Sequence, residues 1–145
     1  MSAPAHVVGQ HGRAVTLPGL PESVRQFRVL ARQASVTPYQ AEAAALCVSE
    51  LVTNALVHSR SGKPGGTVTV AIRPAETPGE LRISVSDDGG PDRPGPWLSP
   101  PCAEAPVVPE HGYGLGIVDA VAADWGRARR LGGWVTWCEI PAVAT

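Results

Sequence analysis

At 145 residues, with 12 basic and 13 acidic side chains and a formal net charge of -1, the chain carries no basic field of the kind that nucleic acid attracts. Glycine and proline number 16 and 15, enough to demand long loops but short of the roughly 25–30% that marks low complexity. No apolar run approaches the roughly 18 residues of a membrane span, and Met1 to Gly12 lacks the parts of a secretion signal, so the sequence predicts a cytoplasmic protein with no membrane partner.

The expected organisation is a flexible N-terminus over 1–12 and a single domain over 13–145. A chain of this length buries roughly 68–70% of the surface its unfolded form exposes. Cys47, Cys102 and Cys138 are odd in number and widely spaced, which suits buried or idle thiols better than a disulfide framework or a metal knuckle. His6, His11, His58 and His111 show no ligand spacing with them.

Arg13 to Leu17 reads as a short edge strand stopped by Pro18-Gly19. From Glu22 to about Ala34 a first helix is expected, with Val24, Phe27, Val29, Leu30 and Ala34 as its apolar stripe and Arg25, Arg28 and Arg32 opposite. Thr37-Pro38 is a helix start, a capping hydroxyl followed by a proline in the first turn, and the alanine-rich stretch to Val57 contains no breaker. On this long helix Ala41, Ala44, Val48, Leu51, Val52 and Ala55 share a core side. Glu50 and Asn54 lie one turn apart beside that stripe, and His58 a turn further on.

After a turn-rich Ser59 to Gly66, Thr67 to Arg73 and Glu80 to Asp87 both alternate as strands do, and Pro78-Gly79 between them predicts an antiparallel hairpin. A proline-studded stretch follows, with Pro91, Pro94, Pro96, Pro100, Pro101, Pro106 and Pro109, which excludes regular structure and predicts a lid over about 88–111. A glycine segment then opens a helix from Leu115 to about Asp124, and strands are expected near Trp125–Arg129 and Trp134–Ile140. The fold class is therefore α+β, a two-layer sandwich with about three helices on one face of a mixed, mostly antiparallel sheet.

Three segments carry chemistry. Glu50 and Asn54 leave one helix on the same side, where an amide oxygen suits Mg²⁺ and a carboxylate one turn away could take a proton; a polar seam at a helix edge is the alternative. Asp87 ends an apolar strand before two glycines, and its carboxylate is an acceptor suited to an exocyclic amino group; an Asx-type turn is the alternative. Gly112, Gly114 and Gly116 at a helix start offer unhindered amides to an anion, or else a flexible hinge.

Taken together, Glu50 to His58, Asp87 to Gly90 and Gly112 to Val118 resemble the N box and the two glycine boxes of the GHKL (Bergerat-fold) ATPase/kinase superfamily. Within it, the tail Asp119 to Gly126 and Gly133 to Ile140 resembles the small anti-sigma-factor serine/threonine kinases of actinobacterial type. The resemblance implies ATP and Mg²⁺ as cofactors, with Asn54 holding the metal and Asp87 reading adenine. Gly89 would make room for the base, Leu115 would border the nucleotide, and Gly112, Gly114 and Gly116 would wrap the phosphates. Glu50 would be the general base toward a serine or threonine of an anti-sigma-factor antagonist. The implied partners are that antagonist and a sigma factor, and homodimerisation is compatible with the resemblance.

Pro91, Tyr113 and Val135 depart from the family pattern, at the first glycine box, within the second, and where a threonine often stands near adenine; Thr136 is adjacent to the last. A non-catalytic nucleotide-sensing module is the competing reading. A histidine kinase fragment fits less well because no dimerising helix with a phospho-acceptor histidine precedes the domain. Trp97 in the lid suits either partner contact or a cover over the base.

Overall fold

The computed structural model describes residues 12–90, 115–130 and 132–144. Its elements are β1 (Arg13–Pro18), α1 (Pro21–Ala34), α2 (Pro38–His58), a 3-10 turn (Arg60–Gly62), β2 (Thr67–Pro74), β3 (Leu81–Ser86), α3 (Leu115–Val121), β4 (Asp124–Arg130) and β5 (Gly133–Ile140). This is the element order that periodicity and punctuation predict. The lid expected over about 88–111 lies mostly outside the described residues.

The five strands form one sheet in the order β1-β2-β3-β5-β4, and every neighbouring pair is antiparallel. The expectation of a mixed sheet is corrected by how the last hairpin enters. β4 takes the edge, and β5 turns back to insert beside β3, so β5 runs opposite to both neighbours. Register sets which residues face inward: Val70 lies opposite Val85, Ile72 opposite Ile83, and Ile83 opposite Cys138, all buried. On the outer face the Arg82 guanidinium stacks 4.0 Å from the Trp137 ring centroid and pairs with Glu139 at 2.8 Å.

The three helices cover the inner face, with α2 central. Thr37 caps it as the sequence predicts, accepting a hydrogen bond from Gln40 N at 3.0 Å. Burial on α2 extends past the predicted stripe to Ala43, Ala45 and Cys47, because the sheet covers one side of the helix and α1 another; Ala41 is only half-buried. Val29 is 46% exposed on α1, and Ala31 takes the core position beside Phe27 instead.

Gln40 is fully buried with its amide committed: Nε2 donates to Gly79 O and Ile140 O, and Oε1 accepts from Val36 N. Those bonds tie the start of α2 to the β2–β3 turn and to the end of β5. Cys47 and Cys138 are buried against each other, as idle thiols should be, and their contact together with burial pushes the Cys138 thiol well up. Cys102 lies outside the described residues.

The third helix is shorter than predicted, ending at Val121 rather than near Asp124. Sheet pairing wins over helix continuation there: Ala123 N already donates to Glu139 O, and Trp125 Nε1 reaches back to Asp119 Oδ1 at 2.9 Å. Among the described residues no helix is long and apolar enough to cross a membrane.

Candidate functional site

Where α2 passes over the ends of β3 and β5, the inner layer opens into a narrow cleft whose cavity volume is about 20 Å³, well below the roughly 300–1,000 Å³ usual for small-ligand sites. The helix supplies Leu51, Asn54, Ala55 and His58 to its wall, and β3 supplies Val85 and, just past its end, Asp87. Leu115 closes it from α3, while Arg127 and Thr136 enter from β4 and β5. The exposed surface of this lining is mostly apolar, although five of its nine residues, Asn54, His58, Asp87, Arg127 and Thr136, are polar.

Asp87 is the most constrained of them. Its Oδ1 accepts from Gly89 N at 2.7 Å and from Trp134 N at 3.2 Å, and its own N–H donates to Trp134 O at 3.0 Å. A ligand's amino group would therefore meet Oδ2. Burial pushes the Asp87 carboxyl above its usual range, while the two amides and the Arg127 guanidinium pull it back down. Asp88, its neighbour, does something else: its Oδ2 accepts from Thr67 N, its N–H donates to Ser61 Oγ, and its charge adds to the upward push on Asp87.

The Asp87–Gly90 turn is thus pinned on two sides. Arg60 N donates to Gly89 O at 2.6 Å from the 3-10 turn, and the β4–β5 hairpin presses from the other side. Gly89 has φ +82°, in the left-handed region that favours glycine, and a Cβ on it would lie 2.9 Å from Gly132 O. Asp88 to Gly90, predicted as the start of the lid, belong instead to this fixed turn.

A family model for histidine kinase-like ATPase domains matches residues 16–137. The chain belongs to that family. No curated protein matches it. The match runs from β1 into β5 and so includes every described wall of the cleft. As a histidine kinase-like ATPase domain, the chain has an ATP-binding fold, and its cleft lies between α2 and the Asp87–Gly90 turn, two of the segments singled out in the sequence.

Of the site residues expected from sequence, Asn54, Asp87 and Leu115 meet on this one cleft although 61 positions separate the first from the last. Glu50, one turn before Asn54 on α2, is half-buried and is not among the lining residues. Gly116 is exposed in the first turn of α3, with open space where a Cβ would go. Gly112 and Gly114, with Pro91, Trp97 and Tyr113, lie outside the described residues.

The Asx-type reading of Asp87 holds, since Oδ1 accepts from Gly89 N, and the same side chain also lines the cleft. At the end of the sheet Thr136 lines the cleft, and Val135 points to the opposite face as the strand period requires. The departure at Val135 therefore removes no threonine from the site.

Arg127, Gly133 and the backbone of Trp134 belong to the site without being expected there. A signal for Arg127 was present, because a strand anchored inward by Trp125 turns Arg127 inward two residues later. The contributions of Gly133 and Trp134 are backbone contacts that no side-chain pattern records.

Proposed function

We propose that this histidine kinase-like ATPase domain is an anti-sigma factor that uses Mg-ATP to phosphorylate a serine or threonine of an anti-sigma-factor antagonist. The observation that carries the reading is the convergence of Asn54 and Asp87, from separate elements, on one largely apolar cleft. Adenine is an apolar plate with an amino donor on its edge. Asp87 accepts that donor, Leu115 and Val85 pack on the base, and Gly112, Gly114 and Gly116 follow the phosphates.

Among the described residues no group of three His, Cys, Asp or Glu side chains could hold a metal alone. A single amide oxygen from Asn54 nevertheless fits Mg²⁺, which keeps several waters and takes its other ligands from phosphates. Bound there, the ion would neutralise charge on the transferring phosphoryl group. Glu50 takes the proton from the antagonist's hydroxyl, the hydroxyl oxygen bonds to the γ-phosphorus, and the bond to the β–γ bridging oxygen breaks so that ADP leaves with its electron pair.

Incubating the purified protein with γ-labelled ATP, Mg²⁺ and a candidate antagonist should transfer label to a serine or threonine of that partner, and Asn54→Ala should abolish transfer. Absence of transfer to any candidate antagonist at any Mg²⁺ concentration would overturn the kinase half of the proposal. The position of Glu50 outside the lining favours one second reading, a nucleotide-sensing module that regulates its partner without phosphoryl transfer.

Acid provides a separate check on Asp87. Its folded-state value lies above the unfolded one, so the folded state holds the proton more tightly. Its contribution to stability is therefore present at low pH and disappears as pH rises through the folded value. Nucleotide affinity runs the other way, because a protonated carboxyl is a poorer acceptor for an amino group. Titration calorimetry from neutral pH downward should show ATP binding weakening just above the ordinary carboxylate range. Asp87→Asn should bind roughly ten- to hundredfold more weakly at neutral pH and lose this dependence. A flat profile for the wild type, or an unchanged affinity in the variant, would remove Asp87 from base recognition.

A further inference from the structure

Arg127 is the one cationic side chain among the described residues of the cleft wall whose charge acts on Asp87, and nothing in the reading above uses it. Its position is fixed by register. Arg127 lies opposite Thr136, which lies opposite Val85, so three adjacent strands present these residues at one level of the inner face. Asp87 stands one inward step further along from Val85. The guanidinium is held in place: Nε donates to Thr136 Oγ1 at 3.4 Å, and the group lies 4.8 Å from the Trp134 ring centroid.

A purely structural role would be to clamp the hairpin through Trp134. Arg129, exposed and paired with Trp134 across the hairpin, already does that, with its guanidinium 5.0 Å from the same centroid. Arg127 differs in being half-buried and lining the cleft. An arginine offers donors only, and an ionised aspartate acceptors only. A donor beside an acceptor complements the edge of adenine, where a ring nitrogen acceptor, N1, adjoins the exocyclic amino donor.

We infer that Arg127 is a specificity-determining residue for the nucleotide base, donating a hydrogen bond to adenine N1 while Asp87 accepts from the adjacent amino group. The inference rests on the ATP reading proposed above. It assigns selectivity to a strand outside the N box and both glycine boxes. Guanine offers the same two groups in the reverse order, O6 as acceptor and N1–H as donor, so the base must be tested directly.

The test measures affinities of the intact chain for Mg-ATP, Mg-1-deaza-ATP, in which C–H replaces N1, and Mg-GTP, for wild type, Arg127→Met and Arg127→Lys. Wild type should bind 1-deaza-ATP roughly ten- to hundredfold more weakly than ATP. Arg127→Met, which keeps the apolar stem over Trp134, should lose a similar factor for ATP and no longer distinguish the two. Arg127→Lys should recover part of the discrimination.

Equal affinity of wild type for ATP and 1-deaza-ATP would overturn the inference, as would an Arg127→Met variant that still penalises the analogue. Tighter binding of GTP than ATP would overturn the adenine assignment. No binding of any nucleotide by wild type would remove the ATP reading itself, an outcome distinct from ATP binding that ignores N1. Should Arg127→Met fail to fold, the wild-type pair of affinities and Arg127→Lys still decide.

Discussion

Glu50→Gln is expected to lower phosphoryl transfer to the antagonist by about 10²–10⁴-fold, the usual contribution of a positioned general base, while leaving stabilisation by Mg-ATP intact. The separation follows from the geometry. Asn54 lines the cleft, whereas Glu50 sits one turn earlier on the same helix, half-buried and outside the lining. Glutamine keeps the size and a carbonyl acceptor but cannot take the hydroxyl proton, so the change should appear in turnover and not in nucleotide binding. Single-turnover transfer and thermal unfolding with saturating Mg-ATP measure the two halves separately. At about 100 times the dissociation constant, ATP should stabilise both proteins by roughly 2.7 kcal/mol. The same variant separates the two functional readings. A pure nucleotide sensor has no turnover to lose and would regulate its partner normally with glutamine at position 50. Unchanged transfer in Glu50→Gln would mean that another group receives the proton.

Local signals made most of the fold legible, and non-local ones hid the rest. Thr37-Pro38 marks the start of α2 because a cap depends only on its own turn, and the alternation of Thr67 to Arg73 is visible because one sheet face is covered. Burial around α2 exceeds the expected stripe because a helical wheel does not know that α1 covers a second side, which is why Ala43 and Ala45 fall outside it and Cys47 was expected to be buried only as a thiol. The end of α3 was misplaced because sheet pairing of Ala123, not helix propensity, decides it.

In the site, Asn54 and Asp87 were legible because each sits in a segment whose residue types are unusual for its element. Arg127 and Thr136 reach the cleft through the register of the last hairpin against β3. A slip of one residue would replace Thr136 by Val135 and turn Arg127 outward, so their roles depend on pairing that no short window contains. The same dependence links stability to function here. The hairpin that carries the proposed base-reading arginine also holds the aspartate in place through Trp134.

Gly133→Ala should therefore damage the site and the fold together, by about 3–5 kcal/mol of stability. A Cβ at Gly133 would lie 2.0 Å from Asp87 O, 2.8 Å from Gly89 N and 2.9 Å from Asp87 C. All three are backbone atoms of a turn already pinned by Arg60 and Ser61, so no side-chain rotation relieves the overlap. The hairpin has to move away from the turn. Doing so breaks both bonds between Asp87 and Trp134, each worth about 1 kcal/mol, and adds roughly 1–3 kcal/mol of strain in what stays packed. At about 3 °C per kcal/mol for a chain of this size, Tm should fall by roughly 10–15 °C. ATP stabilisation should disappear in the protein that remains folded, because Asp87 loses one of the two amides that orient it. Gly116→Ala is the control for stability: open space surrounds that position within a helix, so the same methyl should be neutral or stabilising by up to about 1 kcal/mol. If Gly133→Ala unfolds at the wild-type temperature, the turn and the hairpin are not locked together. If it is destabilised yet binds ATP as tightly as wild type, Asp87 does not need the hairpin to face the base.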